Sequence, residues 1–484
     1  MKRVLLLSSV LAMTSIASAS EQAGIDAYDL KLAPHSFEAH GQSIASEKGE
    51  FWVMENRANP KSRRIKLSFV RFPSTNPNKA APIVYLAGGP GGSGLRTASG
   101  ARFPIFMALR EVADVIAFDQ RGTGWSNDIP ECETKHDFPL DQPLTPKSSA
   151  AVLNKAAEEC LRFWEQAGVD ISGYTTQESA ADLEDLRKVL GASKLKLWGI
   201  SYGSHLALAT LKRYPSSVER AVLAGLEGLD ETVKLPSYTD NFFARVQSAI
   251  AADPDALRIY PDLAGTMRRV HAKLDRAPVK VTVKDKESKD VEFAIGKFDV
   301  QLATAWSISD PATIARVPAM YALMDSGDFS QVAPMLYQYL RGPGSNHFRG
   351  MPEAMDGASG ISKARAKIVR DQAKTSLLGD ALNFPMPHMA TAFNSLDLGE
   401  DFRSPVHTAV PTLMFSGTLD GRTYPESAVQ IAAGFSNATL VTVENGGHNI
   451  FEAAPQIQEM IVTFMQGKPI TTTKLTLPAP TFLR

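Results

Sequence analysis

Cysteine is nearly absent from this chain: two residues, Cys132 and Cys160, in 484. Two isolated thiols without companion ligands at metal spacing exclude a structural zinc site, and no metal or cofactor is expected. An excess of charge of one sign is lacking too, with 51 lysines and arginines against 52 aspartates and glutamates and a net charge of -1 at pH 7. That balance gives no electrostatic footprint for nucleic acid or an anionic membrane surface. Long hydrophobic runs are also missing. The best candidate, Val4 to Ile16, falls short of the roughly 20 apolar residues that span a bilayer, so no stable membrane insertion is expected. There is no internal repeat and no low-complexity tract. What remains, 44% hydrophobic and 21% charged, is an ordinary globular chain long enough for a large core plus an insertion.

The N-terminal run has an export pattern. Lys2 and Arg3 precede the apolar stretch, and Ala17-Ser18-Ala19 offers small residues where a signal peptidase cuts, so residues 1–19 read as a signal peptide leading to the periplasm or the medium. No cysteine stands at the cleavage site to carry a lipid. An oxidising destination favours a Cys132–Cys160 disulfide, worth about 3 to 4 kcal/mol by loop closure.

From about residue 50 strands and helices alternate. Phe51 to Asn56 and Ile65 to Phe72 read as opening antiparallel strands, the second with Ile65, Leu67 and Phe69 at period two. Ile83 to Ala87 and Val115 to Phe118 are short continuous apolar runs, as expected of parallel strands buried on both faces. A helix over 179–190 puts Ala180, Leu183, Leu186 and Leu190 on one face. Further strands are expected at 218–226, 412–417 and 439–444, and the tail after Lys468 reads as an extended terminus. The alternation predicts a mostly parallel central sheet with helices on both faces.

Leu195-Lys196-Leu197-Trp198-Gly199-Ile200-Ser201-Tyr202-Gly203 joins a short apolar run to a Gly-x-Ser-x-Gly turn, after which helix formers continue to Tyr214-Pro215. A serine on so sharp a strand-to-helix turn has its hydroxyl lifted clear of the backbone, which makes Ser201 the candidate nucleophile. A serine hydroxyl needs a base, and the base an orienting carboxylate. His448, in Asn445-Gly446-Gly447-His448-Asn449, directly follows the last expected core strand, and Asp420 stands in the matching place after the strand before it, with Glu426 as a weaker substitute. The loop Gly88-Gly89-Pro90-Gly91-Gly92 follows a buried strand and lets a substrate carbonyl come close. The amides of Gly89 and Tyr202 are the expected oxyanion donors. As a phosphate loop it lacks the Lys-Ser/Thr ending and the three-glycine dinucleotide spacing.

The glycine loop, the segment Asp119-Gln120-Arg121-Gly122-Thr123-Gly124-Trp125-Ser126 and the Gly199 to Gly203 elbow, in that order, resemble the proline iminopeptidase and tripeptidyl aminopeptidase family of α/β-hydrolases over nearly the whole mature chain. The resemblance implies the α/β-hydrolase fold, with Ser201, Asp420 and His448 in the triad positions and Gly89 and Tyr202 as oxyanion donors. Members commonly carry His where Ala87 stands. Asp119 and Arg121 read as loop-bracing residues. The expected organisation is a core over 20–229 and 405–484 interrupted by a mainly helical cap over 230–404. In the cap Phe242, Phe243, Val246 and Ile250 share a helical face, and 279–283 suggests a hairpin. Aminopeptidases of this family hold the substrate's free ammonium with cap-side carboxylates, for which Glu227, Asp230 and Asp310 are candidates, Glu227 the best placed and Asp310-Pro311 better explained as a helix start. The resulting expectation is an exported serine aminopeptidase acting on a peptide or small molecule with a free amino end. An esterase or lipase on small esters uses the same machinery, and a noncatalytic binding protein on this scaffold is the third alternative.

Overall fold

A computed structural model describes residues 29–78 and 80–483; the expected signal peptide, 1–19, lies outside the described residues. Ten strands form one sheet: β1 (Lys31–Ala39), β2 (Gln42–Met54), β3 (Arg64–Phe72), β4 (Ile83–Leu86), β5 (Val115–Asp119), β6 (Leu195–Ile200), β7 (Val218–Ala224), β8 (Thr412–Gly417), β9 (Ala438–Glu444) and β10 (Lys474–Thr476). Their lateral order is β1-β2-β3-β5-β4-β6-β7-β8-β9-β10. The pairings from β1 to β3 and of β3 with β5 are antiparallel, and all the others are parallel.

The continuous apolar runs of β4 and β6 serve two cores, because successive side chains of a strand point to opposite faces. Val84, Leu86 and Leu197 enter one cluster. Ile83, Tyr85 and Trp198 enter the other, where the Trp198 ring lies 4.6 Å from Tyr85 and 4.8 Å from Phe106. After β4 the chain turns to β5 on one side, and later returns to lay β6 on the other. The crevice at the carboxyl ends of β4 and β6 is therefore the switch point of the sheet, the place where open α/β sheets receive ligands.

Between β7 and β8 the chain builds helices Pro236–Ala251, Leu263–Arg276, Lys297–Trp306, Val317–Ser326, Met351–Ser359 and Lys363–Ala373, with shorter ones, and a hairpin of Val279–Lys284 with Asp290–Ile295. Phe242, Phe243, Val246 and Ile250 are all buried. This helical layer also recruits the segment before the elbow. Cys132–Glu133 pairs with His347–Phe348, the helix Pro146–Gln166 packs against Met386–Phe393, and a Cys132–Cys160 disulfide ties that helix to the short strand. Among the described residues no helix is long and apolar enough to cross a membrane.

Two elements depart from expectation. β1 precedes the opening strands read from the sequence; its residues are mostly exposed, so it lacks the apolar alternation that marks a half-buried strand. The tail is more than an extended terminus. Lys474–Thr476 adds a parallel strand to β9, covering an edge that would otherwise present unpaired N–H and C=O groups. Beyond it Phe482 is buried and the Tyr260 hydroxyl donates to Leu483 O at 2.8 Å, so the tail straps the sheet to the helical layer.

With 28 positions separating its cysteines, the bridge removes loop entropy from the unfolded chain. Replacing both by Ala is expected to lower the unfolding free energy by about 3 to 4 kcal/mol, read from denaturant unfolding of the oxidised protein beside the variant; equal midpoints would contradict it.

Candidate active site

Ser201 sits where β6 gives way to the helix Tyr202–Arg213, with φ 55° and ψ -128°. A side-chain-bearing residue is rarely held there, and the surroundings must impose it. They do so through close backbone packing. A Cβ on Gly203 would lie 2.0 Å from Leu86 O, and one on Gly199 would lie 2.6 Å from Gly203 O. Only glycines let the elbow helix approach β4 and fold back on β6. The Ser201 amide is spent on Ala224 O at 3.0 Å, which fixes the turn against β7.

Asp420 follows β8 in a tight turn and is buried. Its Oδ1 accepts the amides of Arg422 (2.7 Å) and Thr423 (2.9 Å), while Oδ2 accepts the Thr423 hydroxyl (2.6 Å) and faces His448 Nδ1 at 2.9 Å. Burial works to raise its pKa, but the His448 charge and these hydrogen bonds hold the carboxyl below its ordinary value. With Nδ1 turned to the carboxylate, His448 keeps Nε2 for a reaction partner. The loop after β9 is anchored by groups from the insertion: His448 N donates to Ser309 O (2.7 Å), and Asn449 donates to Asp310 through N (3.1 Å) and Nδ2 (2.9 Å). From the other side Arg102 Nη2 donates to Asn449 Oδ1 at 3.1 Å. Glu426 is elsewhere, paired with Arg245 at 2.8 Å.

Ser201 and His448 line one cavity of about 480 Å³, together with Gly88, Gly89 and Arg102. Among the described residues no hydrogen bond closes between the hydroxyl and the imidazole, a looseness common in substrate-free sites. A Cβ on Gly88 would stand 2.9 Å from Ile200 O and 3.0 Å from Ser201 Cβ, so the glycine loop presses directly on the elbow. The amides of Gly89 and Tyr202 donate to no protein acceptor among the described residues. Asp119 braces this loop through Ser93 Oγ (2.7 Å) and the amides of Leu95 (3.2 Å) and Trp125 (2.8 Å). Burial raises its pKa in spite of those bonds. Arg121 is forked on Asp182, both contacts 2.6 Å, and braces the helix that leads into β6.

A second, smaller cavity of about 90 Å³ also opens on Ser201, lined among others by Gly89, Glu227, Lys234, Asp356 and Arg422. Lys234 Nζ donates to Glu227 Oε2 (2.8 Å), Glu231 O (2.7 Å) and Thr232 O (3.3 Å). Burial would raise the Glu227 carboxyl, but Lys234 and His205 hold it below its usual value. Asp356 behaves oppositely: burial, with the neighbouring charges of Glu227 and Glu353, pushes it up to about 8 against Lys234 and Arg422. The Asp356 carboxyl has no hydrogen-bond partner among the described residues. Its helix, Met351–Ser359, hangs from the elbow helix: His205 Nδ1 donates to Gly228 O (3.1 Å), leaving Nε2 to accept from Ser359 Oγ (3.0 Å), and Tyr202 Oη donates to Met355 Sδ (2.9 Å).

Of the three acids expected to face a substrate amine, only Glu227 lines this cavity. Asp230 accepts the amide (2.7 Å) and hydroxyl (2.6 Å) of Ser362 and so fixes a helix start. Asp310 precedes the helix Pro311–Ile314, but its carboxylate serves Asn449. Both oxygens of each carboxylate are taken up by groups brought there by the fold, Ser362 for Asp230 and Asn449 for Asp310. Asp356 was not among the residues read from the sequence. The only signal for it is an acid beside the apolar stripe Met351, Ala354, Met355 and Ala358, which does not reveal that the helix end faces a serine 155 positions earlier.

Against known proteins, the family model for the alpha/beta hydrolase fold matches residues 81–455. The tripeptidyl aminopeptidase of Streptomyces coelicolor is 29% identical over 184 residues, 36% of this chain and 34% of that protein. Serine protease Hip1 of Mycobacterium tuberculosis is 29% identical over 183 residues, 37% and 35% of the two chains. A probable proline iminopeptidase of S. coelicolor is 26% identical over 274 residues, 56% of this chain and 65% of that one. The chain thus spans about a third of the length of the first two relatives. Among solved structures, a proline iminopeptidase-related protein of Thermus thermophilus covers 87% of this chain and 98% of its own, at 16% identity and a TM-score of 0.37. With the family model matching most of its length, and a mostly parallel sheet carrying a strand–serine–helix elbow at its switch point, the chain belongs to the α/β-hydrolase fold family.

Proposed function

We propose that this protein is an exported serine aminopeptidase that releases one small residue from the free amino end of a peptide. The observation that carries the reading is the pair of carboxylates, Glu227 and Asp356, in the small cavity that opens on Ser201. In the proposed reaction His448 takes the Ser201 proton as the hydroxyl attacks the scissile carbonyl. Asp420 keeps the imidazole oriented and stabilises its charged form. The amides of Gly89 and Tyr202 receive the oxyanion, His448 returns the proton to the leaving nitrogen, and water activated by the same imidazole then frees the acyl group from Ser201.

Size supports the release of a single residue. A cavity of about 150 Å³ holds a benzene ring, so about 90 Å³ suits a residue the size of alanine or proline and excludes three. Charge supports an amine as its terminus. Lys234 engages one oxygen of Glu227, leaving the other and the unpartnered Asp356 carboxyl to face a substrate ammonium. Export is supported by the Lys2-Arg3 and Ala17-Ser18-Ala19 pattern and by the disulfide, which persists in oxidising compartments.

Ser201→Ala is expected to abolish turnover of amino-acid anilides while the protein stays folded, and Asp420→Asn to lower kcat by about 10³- to 10⁴-fold; substantial activity in the serine variant removes it from the role. Glu227→Gln should raise KM about tenfold for substrates with a free amine and leave kcat less affected, one charge-assisted contact having been lost. Blocking the amine should stop turnover, whereas hydrolysis confined to esters would favour the esterase alternative.

The pH dependence follows from Asp356. Below about 8 its carboxyl carries a proton, and an entering ammonium must displace that proton to pair with the carboxylate. Competitive inhibition by alaninamide is therefore expected to strengthen as pH rises from 6 to 8, and to weaken above that as the inhibitor's own amine, with an ordinary pKa near ~8, loses its charge. In Asp356→Asn the rise from pH 6 to 8 disappears; a variant with the wild-type slope would exclude Asp356 from the amine site.

A further inference from the structure

Arg422 stands two residues past the triad carboxylate, and its amide donates to Asp420 Oδ1 at 2.7 Å. Its backbone is therefore fixed by the same group that orients His448. Arg422 lines both cavities that meet at Ser201, the smaller with Glu227 and Asp356 and the larger with His448. Among the described residues it nevertheless has no ion pair, and the one hydrogen bond of its guanidinium is Nη1 to Ala305 O at 3.3 Å. Other arginines in similar surroundings are neutralised. Arg102, in the same larger cavity, holds Glu452 at 2.7 Å; Arg121 holds Asp182 and Arg341 holds Asp299, each at 2.6 Å. A half-buried guanidinium without an anion forgoes hydration and gains little in return, while its planar fork fits a carboxylate with two parallel hydrogen bonds.

The side of the serine from which that carboxylate comes follows from the chemistry. His448 must protonate the leaving nitrogen, so the leaving group occupies the cavity that His448 lines, and the acyl part the smaller one. In a dipeptide the free carboxylate is two bonds from that nitrogen, close to the wall that Arg422 contributes. We propose that Arg422 is a specificity-determining residue that receives the free carboxylate of a one-residue leaving group, so that dipeptides and other substrates with a carboxylate next to the scissile bond are preferred over longer or amidated ones. The inference rests on Ser201 as the nucleophile of the proposed reaction, and not on recognition of the amine.

Four esters separate the two claims: alanyl-glycolate and alanyl-glycolamide, each with the amine free or acetylated. The wild-type kcat/KM is expected to favour the glycolate over the glycolamide by tenfold or more. Arg422→Gln should bring that ratio close to one, and Arg422→Lys, which keeps the charge but loses the fork, should leave it in between. A wild-type ratio near one overturns the proposal, as does a large ratio that both variants retain, which would move carboxylate binding to Arg102. A carboxylate preference that persists on acetylated substrates and is lost in Arg422→Gln upholds Arg422 even where the amine makes no difference, an outcome that would sink the aminopeptidase reading alone. Absence of turnover on all four esters overturns both. If Arg422→Gln fails to fold, the wild-type ratio and the Arg422→Lys variant decide.

Discussion

The backbone of Ser201 is the constraint on which the rest depends. A non-glycine residue at φ 55° and ψ -128° costs on the order of 1–3 kcal/mol and persists only where its neighbours leave no alternative. Here the alternatives are removed by contact. β6 is hydrogen-bonded between β4 and β7, the Ser201 amide is committed to Ala224 O, and the following helix is drawn against Leu86 O through Gly203. Relaxing the serine would tear the helix from the strand beneath it. The strain is what lifts the hydroxyl out of the sheet edge at the switch point, where it lines two cavities.

The imidazole depends on a different kind of support. His448 rides on a loop whose Gly446 and Gly447 are buried, and its place is set by hydrogen bonds from three parts of the chain: Asp420 beyond β8, Ser309 and Asp310 of the insertion, and Arg102 beyond the glycine loop. Two of those anchors come from the helical insertion, so the insertion cannot be viewed as a lid laid on a finished core. The same holds for the smaller cavity, where Asp356 is delivered by a helix suspended from the elbow helix through His205 and Tyr202. Because the supports cross between layers, the cavities at Ser201 are defined only when the sheet and the insertion are both in place.

Much of this was legible in the chain, for a local reason. The strand–Gly-x-Ser-x-Gly–helix sequence specifies its own geometry, since glycine is the residue that tolerates the contacts at 199 and 203. His448 and Asp420 were singled out because each follows a stretch read as a core strand, and parallel strands bring their carboxyl ends to one edge. Apolar spacing likewise marked the helical face of Phe242, Phe243, Val246 and Ile250, and 279–283 marked the hairpin. β1 and β10 escaped because exposed edge strands carry no apolar alternation. Asp230 was a candidate substrate contact because its hydrogen-bond partner, Ser362, lies more than a hundred positions away, whereas Asp310-Pro311 was legible as the helix start that it is.

The sequence by itself determined the sheet, the elbow and which serine, histidine and aspartate share one edge, because those features follow from periodicity and from glycine and chain order. Only the tertiary structure decided what surrounds them: that Asp356 and Glu227 share a cavity, that Lys234 engages one of them, and that Arg422, with no ion pair among the described residues, lines both pockets. Electrostatic environment depends on distances between residues remote along the chain and on the water they lose on burial. Neither quantity leaves a trace in local composition or spacing.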